Sequence, residues 1–257
     1  MKIRTIAPLA VAFALVVPLT SHAALSAYSQ DFESLATAEP GLGNNNALSN
    51  DGWLVFGTVF AAGGSPLFGY GPFPAPNGSQ AFSGIAGGLF AQGGPQQGTQ
   101  QLVVYSDYAN ATAHGNGQLV RSSVFQQQVV GAADVGTTWT FHFDAKLDSF
   151  AGLAAPSTAL AFIQTLDPNS GFQVTGQSLV DMSAVPSTWG TYSLALTITA
   201  GAGQILQFGF GNTATNFANS AVAYDNLSLA PVPEPSTYAL MFAGLALLSL
   251  AVRRRRQ

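Results

Sequence analysis

The chain has 257 residues, 47% of them hydrophobic and only 8% charged, with 28 Gly, 14 Pro, 18 Phe and no Cys. That balance excludes a highly charged disordered chain, and the missing Cys excludes a disulfide scaffold and a Cys-ligated metal centre. Six of the eight basic residues lie at the two ends, leaving Arg121 and Lys146 among eleven acids between residues 25 and 230, so the body repels phosphate backbones and nucleic acid is excluded as a partner.

Residues 1–23 read as a secretory signal peptide. Lys2 and Arg4 form a basic start and Ile6 to Leu19 is apolar. Ser21-His22-Ala23 places small residues where signal peptidase reads, so cleavage is expected after Ala23. Pro8 and Pro18 argue against a buried N-terminal helix.

Residues 24–230 form the body, and it shows period-two alternation rather than a helical period. Strands are predicted over Tyr28–Glu33, Trp53–Phe60, Gln101–Ser106, Leu119–Val130, Thr138–Leu147, Ala159–Leu166, Phe172–Val180, Tyr192–Thr199, Leu206–Phe210 and Ser220–Leu229. In Thr138–Leu147, Trp139, Phe141, Phe143, Ala145 and Leu147 share one face, and Thr140, His142, Asp144 and Lys146 share the other. Such a strand is half-buried and antiparallel. Gly-, Pro- and Gln-rich residues 61–98 read as long loops between a few weak strands. Many short strands with Gly-rich breaks predict an all-β fold, an antiparallel β-sandwich of jelly-roll type around one core.

Residues 231–257 are a separate unit. Pro231 to Pro235 is a linker, and Ser236 to Val252 is an uncharged stretch of 17 residues, about 26 Å as a helix and just long enough to span a bilayer. Arg253, Arg254, Arg255 and Arg256 then act as a membrane stop. They stay cytoplasmic by the positive-inside rule, which puts the body outside.

Pro233-Glu234-Pro235, the apolar helix and the arginine cluster together resemble the PEP-CTERM sorting signal. The resemblance implies Pro233, Glu234 and Pro235 as recognition residues. It also implies an exosortase as processing enzyme, a Gram-negative host, and a route from an inner-membrane-anchored precursor to the cell surface or extracellular matrix. The implied setting is biofilm and exopolysaccharide.

The body carries a looser resemblance. Gln30-Asp31-Phe32-Glu33 with Gly52-Trp53, Trp189 to Leu194, Leu206 to Phe210 and Ala223 to Leu229 are similar to galactose-binding-like carbohydrate-binding jelly rolls. In those domains an acid on the first strand and another on the last help to hold a structural Ca²⁺. The resemblance therefore implies Glu33 and Asp225 as metal ligands, with Asn226 if the register differs by one. Read from its own strand, Asp225 is in phase with Ala223, Leu227 and Leu229, which aims it toward the core, where a carboxylate needs a partner.

Flat rings cover the apolar face of a sugar, so Trp53, Tyr70 and Trp189, with Phe73, Tyr105 and Tyr108, are candidate ligand-binding residues; Trp139 reads as core. Catalysis has little support. No G-x-S-x-G, H-E-x-x-H or P-loop occurs, and His142 with Asp144 reads as a solvated pair on the polar face. The expected function is thus a non-catalytic, exosortase-sorted surface or matrix protein associating with extracellular polysaccharide. A discrete calcium-stabilised carbohydrate-binding module is the alternative, and a glycan hydrolase is a third reading.

Overall fold

The computed structural model describes residues 24–36, 47–75, 87–150, 152–199, 201–215 and 217–233. The signal segment, Glu234, Pro235, the apolar C-terminal stretch and its arginines lie outside them. Among the described residues no helix is long and apolar enough to cross a membrane.

Twelve strands and two short helices follow one another along the described chain: β1 (Tyr28–Gln30), α1 (Ala47–Asn50), β2 (Leu54–Phe60), β3 (Pro66–Pro74), β4 (Gly87–Phe90), β5 (Gln101–Tyr105), α2 (Ala111–Gly115), β6 (Leu119–Val129), β7 (Thr138–Leu147), β8 (Thr158–Asp167), β9 (Gln173–Asp181), β10 (Gly190–Thr197), β11 (Ile205–Ala214) and β12 (Ala221–Pro231). They form two antiparallel sheets. Sheet I has the order β10-β7-β12-β5-β4, with β1 also paired to β12, and sheet II has the order β3-β2-β6-β11-β8-β9. From β5 onward the chain mostly crosses between sheets rather than pairing with its sequence neighbour, as a sandwich requires. The fold is the antiparallel β-sandwich that the alternation predicts.

The core lies between the sheets. Phe141 and Phe143 of β7 and Val222, Tyr224, Leu227 and Leu229 of β12 meet Phe208 and Phe210 of β11, Ala161 and Ile163 of β8, Val55 of β2 and Val124 of β6. Phe210 stacks on Tyr224 with centroids 3.5 Å apart, and Phe141 packs edge-on against Phe208 at 5.1 Å. Buried aromatic pairs of this kind stabilise by about 0.5–1.5 kcal/mol beyond the area they bury. One buried polar link crosses the core, where Asn212 of β11 donates to the Val104 carbonyl of β5 at 2.8 Å.

β7 has the predicted bounds, and the other predicted strands are present with ends displaced by a few residues. β1 is shorter than Tyr28–Glu33 because Phe32 adopts φ 61° and turns the chain out of the sheet. The stretch 61–98 contains β3 and β4, and the segment that follows β4 folds back over sheet I. The two short helices carry no signal readable from periodicity.

One expectation needs correction. Asp225 does not face the intersheet core with Leu227 and Leu229. The pairing of β12 with β7 shifts between Asp225 and Ser228, and Asn226 has φ 50°. This bulge inserts a residue and reverses the phase. Val222 and Tyr224 face the core, whereas Ala221 and Ala223 pack in a separate cluster with Val103 and the flanking Phe90, Tyr105 and Trp189. Asp225 belongs to that outer side of sheet I.

Candidate functional site

Two polar constellations stand out, one on the outer side of each sheet. On sheet I, Asp225 lies opposite Asp144 of β7, and Ala223 lies opposite Lys146. Both acids are buried, Asp225 to 1% exposure and Asp144 to 8%. The segment between β4 and β5 covers them. Asp144 is well provided with donors. Gln97 Nε2 (2.8 Å) and Asn226 Nδ2 (2.9 Å) donate to its Oδ2, and Thr191 Oγ1 (2.7 Å) donates to its Oδ1. Lys146 Nζ donates to the Gln92 carbonyl at 2.7 Å and to Ser149 Oγ at 3.0 Å, which ties the same segment to β7.

Asp225 is different. Its Oδ1 accepts the Asn226 N–H at 2.6 Å, while its buried Oδ2 has no hydrogen-bond partner. Burial pushes the Asp225 carboxyl up to about 7, with the Asn226 amide and the nearby Gln101 side chain opposing the effect and repulsion from Asp144 and Glu33 adding to it. An open depression lined by Ser29, Gln30, Asp31, Ser34, Asn226 and Leu227 lies beside this end of β12.

Of the predicted metal ligands, Asp225 alone offers a free carboxylate oxygen. Glu33 is exposed, and its oxygens are taken by Thr99 N (2.7 Å), Thr99 Oγ1 (2.6 Å) and Gln100 N (2.8 Å). The bond from the Thr99 side chain, then that from the Gln100 amide, hold its carboxyl below the usual range. Gly98 permits this arrangement. It has φ +57°, and a Cβ there would lie 2.5 Å from Glu33 Oε1. Asn226 points its amide at Asp144 and at the Gln96 carbonyl (3.1 Å). No group of three or more His, Cys, Asp or Glu residues suited to a metal occurs among the described residues.

The predicted aromatic platform is dispersed. Trp53 is fully buried, with Tyr28, Phe32 and Phe210 around it at centroid distances of 6.3, 6.3 and 6.5 Å. It is a core residue and presents no ring to a ligand. Its phase signals this, since Trp53, Val55 and Val59 share one side of the strand. Trp139 is core, as predicted. Tyr70, Phe73, Tyr105 and Tyr108 are half-buried, and the Tyr70 ring covers Gly57, where a Cβ would approach to 2.1 Å. Trp189 is also half-buried. Its indole N–H donates to the Gly93 carbonyl, and the Lys146 ammonium sits 5.6 Å from its ring centre.

Among the described residues the histidines form no acid–base pair. His142 is exposed and Asp144 is covered, so they are not the solvated pair that their spacing suggests. His114 is buried, with its ring nitrogens 3.1 Å from the Gln118 carbonyl and 3.0 Å from the Asp107 carbonyl.

Sheet II carries the second constellation, which the sequence alone does not single out. Gln177 of β9, Gln164 of β8, Gln207 of β11 and Gln127 of β6 occupy one register row. Leu206 and Phe208 point into the core, so Gln207 points outward and its row partners with it. The amides are chained. Gln177 Nε2 donates to Gln164 Oε1 (2.9 Å), Gln164 Nε2 to Gln207 Oε1 (2.9 Å), and Gln207 Nε2 to Gln127 Oε1 (3.2 Å). The end residues, Gln127 and Gln177, are exposed and the middle two half-buried. Each amide has two N–H donors and two acceptor lone pairs, so every member keeps capacity for a further bond. Val129 and Val174 on one side of the row, and Leu179 on the other, are exposed apolar neighbours. These three rows hold no ionisable side chain.

Residues 231–256 match the model of the PEP-CTERM protein-sorting motif. The tail is a PEP-CTERM sorting signal. The motif marks a secreted protein sorted at the envelope of Gram-negative bacteria and implies processing by an exosortase. No curated protein matches the chain. Among solved structures, the chain is similar to the Stig cyclase Fisc from Fischerella sp. TAU, solved in complex with an indole compound (TM-score 0.44, 16% identity, 81% of this chain and 99% of that one). It is also similar to carbohydrate-binding modules of the β-sandwich superfamily (TM-score 0.37, 13% identity, 76% of this chain and 63% of that one). A third similar structure is the enzymatically active domain of tailspike protein 4 from bacteriophage CBA120 (TM-score 0.36, 14% identity), of which the chain spans 16%. These likenesses are too low to transfer a function.

Proposed function

We propose that the body, delivered to the envelope by its sorting tail, associates without catalysis with a neutral exopolysaccharide of the cell's own matrix, and does so through the outer face of sheet II. The observation that carries this reading is the chained row Gln177–Gln164–Gln207–Gln127. A sugar hydroxyl both donates and accepts, and a side-chain amide is its neutral counterpart. The bonds within the row hold each amide in place, so less side-chain freedom is lost when a chain of hydroxyls lies across it. Neighbouring strands are about 4.8 Å apart, which sets a regular spacing for an extended polymer. Val129, Val174 and Leu179 supply apolar contacts for the C–H edges of the sugar rings.

The glutamine row and the rows on either side of it are uncharged and the body is acidic, which favours neutral polymers over uronate-rich ones. The paired acids Asp144 and Asp225 lie under a covering segment and not in an open cleft, which supports a binding role over hydrolysis. The test is retention of the released body on a glycan panel that includes the host's exopolysaccharide. Neutral polymers are expected to retain it, and polyuronates are expected not to. Failure of every neutral polymer to retain it would contradict the proposal.

A second element of the reading is structural Ca²⁺ at Asp225. The buried, unpartnered Oδ2 is a hard anionic oxygen of the kind that Ca²⁺ prefers. Asp144 lies opposite it, and the Gln96 and Gln97 carbonyls belong to the same cluster. Bound there, the ion would neutralise the Asp225 charge and tie β12 to the covering segment, away from the glutamine row.

A further inference from the structure

The two ends of the body leave the sandwich at one pole. β1 runs antiparallel to β12 with Tyr28 opposite Leu229. Leu25 N donates to Asp134 Oδ2 at 2.8 Å and Ser26 N to Gln128 Oε1 at 2.7 Å. At the same pole Val232 N donates to the Thr138 carbonyl at 2.7 Å. The sorting motif starts at residue 231, so its first residues are part of the sheet. Ala230 lies opposite Thr140 and Pro231 opposite Trp139. Pro233, the first residue of the Pro-Glu-Pro triplet, follows the last rung with no spacer.

One recurring way to read a peptide segment is to bind it extended, as an added strand. Ala230, Pro231 and Val232 are already committed to β7. We infer that the end of β12 gates processing of the tail: the exosortase engages Pro-Glu-Pro only when Ala230–Val232 has peeled from β7. The inference rests on the sorting role of the tail and adds a step that the body controls. The gate is weak by construction. Pro231 has no N–H to donate, residues 231–233 are exposed, and strand ends of this kind open more readily than the core they border.

The test uses the full chain in its host, followed by pulse-chase and immunoblotting of precursor and processed forms. A flexible Gly/Ser spacer of about six residues between Val232 and Pro233 removes the need for peeling. It lies beyond the last rung, so the body keeps its fold. The spacer variant is expected to be processed about fivefold faster than the parent. Changing Pro233, Glu234 and Pro235 to alanine is expected to leave the precursor unprocessed with or without the spacer. If the spacer leaves the rate unchanged or lowers it while the triple-alanine chain stays unprocessed, the gate is refuted and the sorting role stands. Normal processing of the triple-alanine chain would refute the sorting role itself.

Discussion

Trp53→Ala is expected to destabilise the body by about 4 kcal/mol, the usual cost of removing a buried tryptophan, and to lower Tm by about 10 °C for a domain of this size. Trp53 is fully buried, and three aromatic rings surround it. Its indole N–H also donates to Tyr28 O–H (3.1 Å) and Asp51 Oδ2 (3.2 Å). Alanine opens a cavity between the sheets and removes a donor from a partly buried carboxylate, so the transfer and polar losses add. Trp53→Phe keeps most of the volume and is expected to cost about half as much. Thermal melts of the three proteins check this. Glycan binding at a temperature where each protein is folded is expected to be unchanged. A Trp53→Ala protein with parental Tm and no glycan binding would show that the residue is a ligand platform and not core.

The second large effect is a pH dependence set by Asp225. Its carboxyl titrates at about 7 in the folded protein against 3.8 as the ordinary value, chiefly through burial. From about pH 4 to about pH 7 the folded state therefore holds a proton that the unfolded state has released. Stability falls as pH rises through that window and levels off above it. In metal-free buffer the parent is thus expected to be less stable at pH 8 than at pH 5. Asp225→Asn carries no charge at any pH, so most of that slope should vanish. Water screens part of the cost, so at pH 8 with chelator the variant should exceed the parent by about 2 kcal/mol, or roughly 5 °C in Tm.

Saturating Ca²⁺ should reverse the ranking by raising the parent and leaving the variant unmoved; at a hundredfold excess over Kd the gain is about 2.7 kcal/mol. Parallel pH profiles for the two proteins would contradict the account of Asp225. A parent Tm at pH 8 that ignores both chelator and Ca²⁺ would contradict the metal.

The strands were legible because burial on one face of a sheet imposes period two. β7 shows this most clearly, with Phe141, Phe143 and Ala145 inward. The same period placed Trp53 on one side with Val55 and Val59, yet its flat ring made it a candidate ligand platform, and it is core. What the period could not carry was a change of phase. One inserted residue at the Asp225 bulge moved that side chain to the other side of sheet I, and nothing local to Tyr224-Asp225-Asn226 announces it. The glutamine row was hidden for a related reason. Gln127, Gln164, Gln177 and Gln207 sit on four different strands and become neighbours only when the register of three strand pairs is set by the whole sandwich. The cover over Asp144 and Asp225 comes from residues 91–100, whose composition marks them as loop but does not say where they fold. The sorting motif was legible because its three parts are contiguous and their order carries the meaning, but Pro231 and Val232, which read as linker, continue the pairing of β12 with β7.

The most direct test of the central claim is the affinity of the released body for the neutral matrix polysaccharide with the row intact and with its centre removed. Gln164→Ala combined with Gln207→Ala cuts the chain of amides on solvent-facing positions, so Tm should stay within about 2 °C of the parent. The expected result is at least a tenfold loss of affinity, on the order of 1.4 kcal/mol. Unchanged affinity at unchanged Tm would show that the outer face of sheet II is not where the polysaccharide binds.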